Sequence, residues 1–187
     1  CFAYIGDHEE IFDRGQMSGP INEAAKQDIK LIMYGENGEL EYGGDISTID
    51  FRGMPWDYYE KTYFSTPLEE IIKIAKEDKY FEHYNIDFKE KSLDIYNLPH
   101  TDVLKKKEIE FHWWAFYNKW MPQENYYYAV KNTGFEANPD GRMEGTYSKY
   151  AQLDDATDAL LYYMMFIKYG HGRATSDASH EIRDGHI

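Results

Sequence analysis

An α/β fold, with a parallel sheet and a helix-rich C-terminal region, is what this sequence predicts. Three observations lead there. At residues 19–35 a helical segment, GPINEAAKQD, is followed within a few residues by the apolar run KLIMYG, the helix-then-strand order of an α/β unit. A second run, EIEFHWWAFY, places Ile109, Phe111, Trp113, Ala115 and Tyr117 on one face, as a strand does. From residue 122 onward, helical patterns separated by glycine-rich loops dominate.

In GPINEAAKQD, Pro20 suits the first turn, and Ile21, Ala24 and Ala25 share a face, so a short helix is expected. KLIMYG reads as a buried strand. Residues 43–63, with GGDIST and FRGMPWDYYEK, read as loop. In STPLEEIIKIAKED, Thr66 suits the N-cap, Pro67 the first helical position and Glu69 a capping box, with Ile71, Ile72 and Ala75 as the apolar stripe. Residues 79–100 lack a period and read as an irregular or helical insertion. PQENYYYAVKNTG predicts a helix begun by Pro122 and stopped by Gly134. FEANPDGRMEGTYSKY is a loop with turns at Asn138-Pro139 and Asp140-Gly141. A long helix is expected over 154–169, ending at Gly170, and a last one capped by Thr175 or Ser176 and closed by Gly185.

With 187 residues and 42% hydrophobic composition the chain can build a sizeable core. Its longest apolar run, ALLYYMMFI, is about half the roughly 18–20 residues that cross a bilayer, and no signal-peptide pattern opens the chain. A single cysteine, Cys1, excludes an internal disulfide. These features predict a soluble, cytoplasmic protein. The net charge of −14 argues against nucleic acid and anionic membranes as partners, since both need a basic face. A small anionic ligand needs only a local cluster, and three of the five arginines, Arg142, Arg173 and Arg183, fall in the last quarter. Eighteen tyrosines suit either a sugar or base pocket or a wet core.

Three loops could carry chemistry. The first, GENGELEYGG, follows KLIMY, and ligands of open parallel sheets lie beyond the carboxyl ends of strands. Gly35, Gly38 and Gly43 let backbone approach a ligand, Glu36, Glu39 and Glu41 can hold Mg²⁺ or a ribose hydroxyl, and Asn37 can bond a base or amide edge. A surface loop with solvated carboxylates has the same composition. The second, GRMEGTYSKY, offers Arg142 and Lys149 for phosphate, with Glu144, Thr146, Tyr147 and Ser148 for a sugar, or is a solvated linker. The third, GHGRATSDASHEIRDGH, runs a Gly-rich turn into a helix start beside Arg173, an anion site in form. Asp177, His180 and Asp184 at helical spacing there suit a general base, a metal or a structural polar network.

Taken together, YGENGELEYGG, PQENYYYA, GRMEGTYSKYAQLDD and GHGRATSDASHEIRDGHI resemble the N-acetyl sugar amidotransferases of bacterial surface-polysaccharide (lipopolysaccharide, O-antigen) biosynthesis. That family belongs with the ATP pyrophosphatases of the adenine nucleotide alpha-hydrolase-like, Rossmann-like fold. The resemblance implies conversion of the N-acetyl group of a nucleotide-linked sugar to an acetamidino group. ATP with Mg²⁺ would adenylate the amide oxygen, and ammonia would displace AMP. The ammonia would come from a glutaminase subunit accompanied by a cyclase-like subunit. It implies that residues 1–60 are the remnant of an α/β nucleotide-binding domain and 61–187 a helix-rich region packed on it.

Carried onto this chain, the resemblance sets Glu36, Glu39 and Glu41 at the chemistry, Glu41 with the metal. Gly35, Asn37, Gly38, Gly43, Arg173, Thr175 and Ser176 would meet the nucleotide. Asn125, Tyr126, Arg142, Glu144, Thr146, Tyr147 and Lys149 would meet the sugar substrate. The family's Ser-Gly-Gly-Lys-Asp-Ser type pyrophosphate loop and its cysteine cluster do not occur here, so the chain is expected to be a portion of a longer protein. The rival reading is a non-catalytic module that binds a nucleotide sugar or docks a glutaminase.

Overall fold

Two short strands, β1 (Leu31–Tyr34) and β2 (Glu110–Trp113), pair in parallel from Leu31↔Glu110 to Tyr34↔Trp113 in the computed structural model of the chain. It describes residues 1–35, 46–48, 50–151, 153, 155 and 157–187, without the side chains of 46 and 90–92. Among these the fold is mixed α/β, mostly helical, with one two-stranded sheet. The chain forms two compact units, one of Cys1–Gly35 and Asp50–Trp114, the other of Glu36–Ile49 and Ala115–Ile187. No helix among the described residues is long and apolar enough to cross a membrane.

The first unit packs α1 (Phe2–Ile5), α2 (Glu10–Gln27), α3 (Trp56–Tyr63), α4 (Leu68–Glu77), α5 (Tyr80–His83) and α6 (Thr101–Lys106) with the sheet. Its core joins Ile21 and Ala24 of α2, Trp56 and Tyr59 of α3, Leu104, and the β2 face of Ile109, Phe111 and Trp113. β1 is half-exposed rather than buried. Ile32 and Tyr34 face this core, while Leu31 and Met33 are 47% and 43% exposed. A run of apolar residues cannot reveal whether one face of a sheet is covered or both.

Several sequence expectations change for physical reasons. Helix α2 is 18 residues long and runs through Pro20 instead of starting there. The Asp7 carboxylate accepts the N–H groups of Glu9 and Glu10 at 2.8 and 3.2 Å, which sets the helix start upstream. Its buried stripe includes Arg14 and Ser18, two polar residues that hide the period. Arg14 is bonded to Glu10 and the Thr66 carbonyl, and the Ser18 hydroxyl lies 2.6 Å from the carbonyls of both Arg14 and Ile95.

Residues 56–63 are helix rather than loop, with Trp56 and Tyr59 buried and the Trp56 indole N–H donating to the Ile109 carbonyl at 2.8 Å. Helix α4 buries Ile71, Ile72 and Ala75 as expected, but Pro67, not Thr66, occupies its N-cap and no side chain caps it. The β2 ladder runs to Trp113, paired with Tyr34. Ala115 and Tyr117, expected on the strand face, lie instead in a helical turn, α7 (Trp114–Tyr117). Residues 79–100 are irregular as expected, with α5 and a 3₁₀ segment at Glu90–Tyr96.

The second unit contains α8 (Pro122–Thr133), α9 (Asp158–Tyr169) and α10 (Arg173–Asp184). Gly134, Gly170 and Gly185 end them with φ of 74°, 78° and 79°, left-handed C-caps that glycine adopts without strain. The last helix begins earlier than its sequence suggests. Gly172 is the N-cap, and neither Thr175 nor Ser176 caps it, since both lie inside the first turns. The α9 helix starts at Asp158; residue 154 lies outside the described residues.

Candidate functional site

Residues 138–150 form a closed loop in the second unit. The Asn138 side chain accepts the Asp140 N–H at 3.1 Å, and its carbonyl accepts the Gly141 N–H at 3.2 Å, making the turn the sequence predicts. The Asn138 N–H then donates to the Lys149 carbonyl at 2.8 Å, which pins the base of the loop. Inside it, the buried Thr146 hydroxyl lies 3.1 and 3.0 Å from the carbonyls of Met143 and Ser148. Arg142 donates to the Thr146 carbonyl at 3.2 Å. Gly145, at φ 83°, presses on the Tyr162 ring, where an added Cβ would lie 2.9 Å from Cδ2. Its carbonyl accepts the Ala174 N–H of α10 at 3.1 Å. The loop thus caps the helix, which explains the early start of α10.

Around this junction sit acids and tyrosines. Arg173 donates from Nε to Asp177 at 2.7 Å, and its guanidinium carbon lies 5.7 Å from the Tyr162 ring centroid. The Tyr150 ring stacks on Tyr126 of α8 at 4.4 Å and 12°, and its hydroxyl donates to Gln123 at 2.9 Å. Tyr147 is 45% exposed. Burial, then the carboxylates of Glu181 and Asp177, raise the Tyr147 hydroxyl above its ordinary range. Tyr150 is pushed up to about 12, first by burial and then by Glu181, Tyr147, Asp177 and Tyr127. Both hydroxyls stay protonated at neutral pH and remain hydrogen-bond donors.

The residues expected to meet the sugar are therefore brought to one region. Arg142, Glu144, Thr146, Tyr147 and Lys149 share the loop, and Tyr126 meets it through Tyr150. Arg142, Glu144, Lys149 and, on α8, Asn125 are exposed, whereas Thr146 is buried and holds the loop together. Arg173 opens α10 beside the loop, next to the Ala174 N–H that the Gly145 carbonyl accepts. Thr175 is exposed and Ser176 partly so, and their N–H groups turn inward to the Gly172 carbonyl at 3.1 and 3.4 Å. Two N–H groups of the first helical turn, those of Ala174 and Thr175, are thus satisfied within the fold.

Asp177, His180 and Asp184 do not act as one set. Asp177 holds Arg173, His180 packs on Trp120 and accepts from Arg183, and Asp184 pairs with Lys119 at 2.9 Å. Sequence reasoning missed the roles of Tyr150, Gln123, Tyr162 and Glu181. No periodic pattern links residues 27 positions apart such as Gln123 and Tyr150.

Gly35 directly follows β1, at the strand's carboxyl end. Glu36, Asn37, Gly38, Glu39, Glu41 and Gly43 lie outside the described residues. Among the described residues of the second unit, no three His, Cys, Asp or Glu side chains come within reach of a single ion. At the 138–150 loop this unit presents the Tyr147 and Tyr150 rings with their hydroxyls, the partly buried carboxylates of Asp177 and Glu181, and the exposed Arg142 and Lys149. Such a surface suits a polyhydroxylated ligand carrying negative charge. No protein-family model matches the chain, and no curated protein matches it.

Proposed function

We propose that the chain is part of an ATP-dependent amidotransferase that converts the N-acetyl group of a nucleotide-linked sugar to an acetamidino group in surface-polysaccharide biosynthesis. The observation that carries this reading is the meeting, in one unit, of three sequence blocks that carry the resemblance: the α8 start, the 141–150 loop and the α10 start. In this reading the exposed Tyr147 ring lies along the sugar, and Asn125 and Glu144 bond its hydroxyls. Arg142 and Lys149 pair with the diphosphate. Tyr126, stacked beneath Tyr150, and the buried Thr146 hold the surface in shape.

ATP and Mg²⁺ are assigned to the stretch that follows β1. Gly35, Asn37, Gly38 and Gly43 would approach the nucleotide, Glu36, Glu39 and Glu41 would hold the ion, and Arg173, Thr175 and Ser176 would add to the nucleotide contacts. When bound, ATP would make the amide oxygen a good leaving group. The two parallel strands would belong to a larger adenine nucleotide alpha-hydrolase-like sheet. A glutaminase with a cyclase-like subunit would supply ammonia in the cytoplasm.

Calorimetric titration with UDP-N-acetylglucosamine tests the binding half. Saturable binding is expected, weakened about tenfold or more in Tyr147→Ala, the loss of roughly 1.4 kcal/mol of contact. No saturable binding at millimolar sugar nucleotide would overturn it. Pyrophosphate release with ATP, Mg²⁺ and ammonium tests the chemistry, and binding without release would favour a non-catalytic module.

A further inference from the structure

We propose that His186 is a proton-operated clasp between α8 and the C-terminal end of α10. Its Nδ1 lies 2.8 Å from Glu181 of α10, and its Nε2 lies 3.7 Å from Glu124 in the first turn of α8. A carboxylate only accepts, so the Nδ1 proton is the one donated to Glu181. In the neutral ring that leaves Nε2 as a bare lone pair facing the Glu124 carboxylate, which repels it. In the imidazolium both nitrogens carry protons, and the same contact becomes attractive. Protonation therefore reverses the sign of the link to α8 while keeping the link to α10.

The other charges at this end of α10 are Asp184, paired with Lys119 at 2.9 Å, and Arg183, which donates to His180 Nδ1 at 2.8 Å. His180 accepts in that contact, so protonation there would act in the opposite sense. After burial, Glu181 also raises the hydroxyls of Tyr147 and Tyr150, so the residue that holds the clasp on α10 is one that the tyrosine surface feels. The use of that surface rests on the functional reading above, whereas the clasp itself does not.

The test uses the intact chain with ¹⁵N-labelled histidine. In the ¹⁵N spectrum the neutral His186 ring should appear as the Nδ1–H tautomer, and acidification should bring the doubly protonated ring. From the neutral to the protonated ring, amide exchange in residues 185–187 and in the first turn of α8, corrected for intrinsic exchange, should slow about threefold, as befits a partly exposed ion pair. Glu124→Gln should abolish the slowing in α8 but leave the Nδ1–H tautomer at high pH, and His186→Gln should abolish both signals. A neutral Nε2–H tautomer, or the same pH response in wild type and Glu124→Gln, would overturn the clasp. Sugar-nucleotide binding, measured separately, bears on the functional reading alone.

Discussion

The two units are held together by different forces. Every buried apolar side chain among the described residues lies in the first unit except Tyr162. There Phe111 is ringed by Tyr59, Trp113, Trp56 and Tyr34, with centroids 4.7, 5.1, 5.5 and 5.7 Å away. The second unit relies chiefly on polar contacts, the Thr146 hydroxyl, the Gly145 carbonyl on the α10 start and the Arg173–Asp177 pair, joined by one ring stack, Tyr126 on Tyr150. On α9, Tyr163, Phe166 and Ile167 are more than half exposed. Apolar packing is insensitive to pH and salt over ordinary ranges, and hydrogen-bonded charge is not. The first unit should therefore behave as scaffold, and the second as the part whose geometry answers to conditions.

The most severe way to break this contrast is Phe111→Ala. Removing a ring at the centre of the first unit's core should cost about 3–5 kcal/mol in a denaturant titration. It should speed amide exchange in β1 and β2 above all. A loss below about 1 kcal/mol would mean that the cluster is loosely packed. Thr146→Val probes the second unit with a near-isosteric change. The buried hydroxyl is lost and two carbonyls lose a partner, so about 1–2 kcal/mol is expected. Exchange should rise at the Thr146 and Ala174 amides while β1 and β2 are unaffected. Equal responses in both units would remove the distinction.

What can be read from the sequence follows the same division of forces. Glycine stops and alternating apolar residues are local signals, so Gly134, Gly170, Gly185 and the Ile109–Phe111–Trp113 face are legible from residue order alone. The full length of α2 is not, because its stripe runs through Arg14 and Ser18, whose partners are 52 and 77 residues away. The alternation of Ala115 and Tyr117 continues that of β2, yet both lie in a helical turn, so local period does not mark the strand's end. At the site, residue types mark the 141–150 loop. They cannot show that its Gly145 carbonyl, not Thr175 or Ser176, satisfies the helix start. Nor can they pair Tyr126 with Tyr150, since stacking across 24 positions is a tertiary outcome.

Tyrosine ionisation gives the finest comparison. Tyr34 in the first unit and Tyr150 in the second are both pushed up to about 12 from 10.0. Burial is the leading cause for each, but Tyr150 is also raised by Glu181 and Asp177. In the folded chain each hydroxyl holds its proton more tightly than in the unfolded chain. Their stabilising share is thus whole below pH 10 and is lost as pH rises toward 12. Tyr150→Phe keeps the stack, loses the bond to Gln123, and should cost about 1 kcal/mol at neutral pH. It should also flatten part of the alkaline decline in stability. Added salt screens the carboxylates but does not undo burial. Raising NaCl to about 0.5 M should therefore shift the Tyr150 titration downward and leave that of Tyr34 in place. Ultraviolet titration of Tyr34→Phe and Tyr150→Phe separates the two, and an identical response to salt would show that the acids of α10 do not act on the second unit's tyrosines.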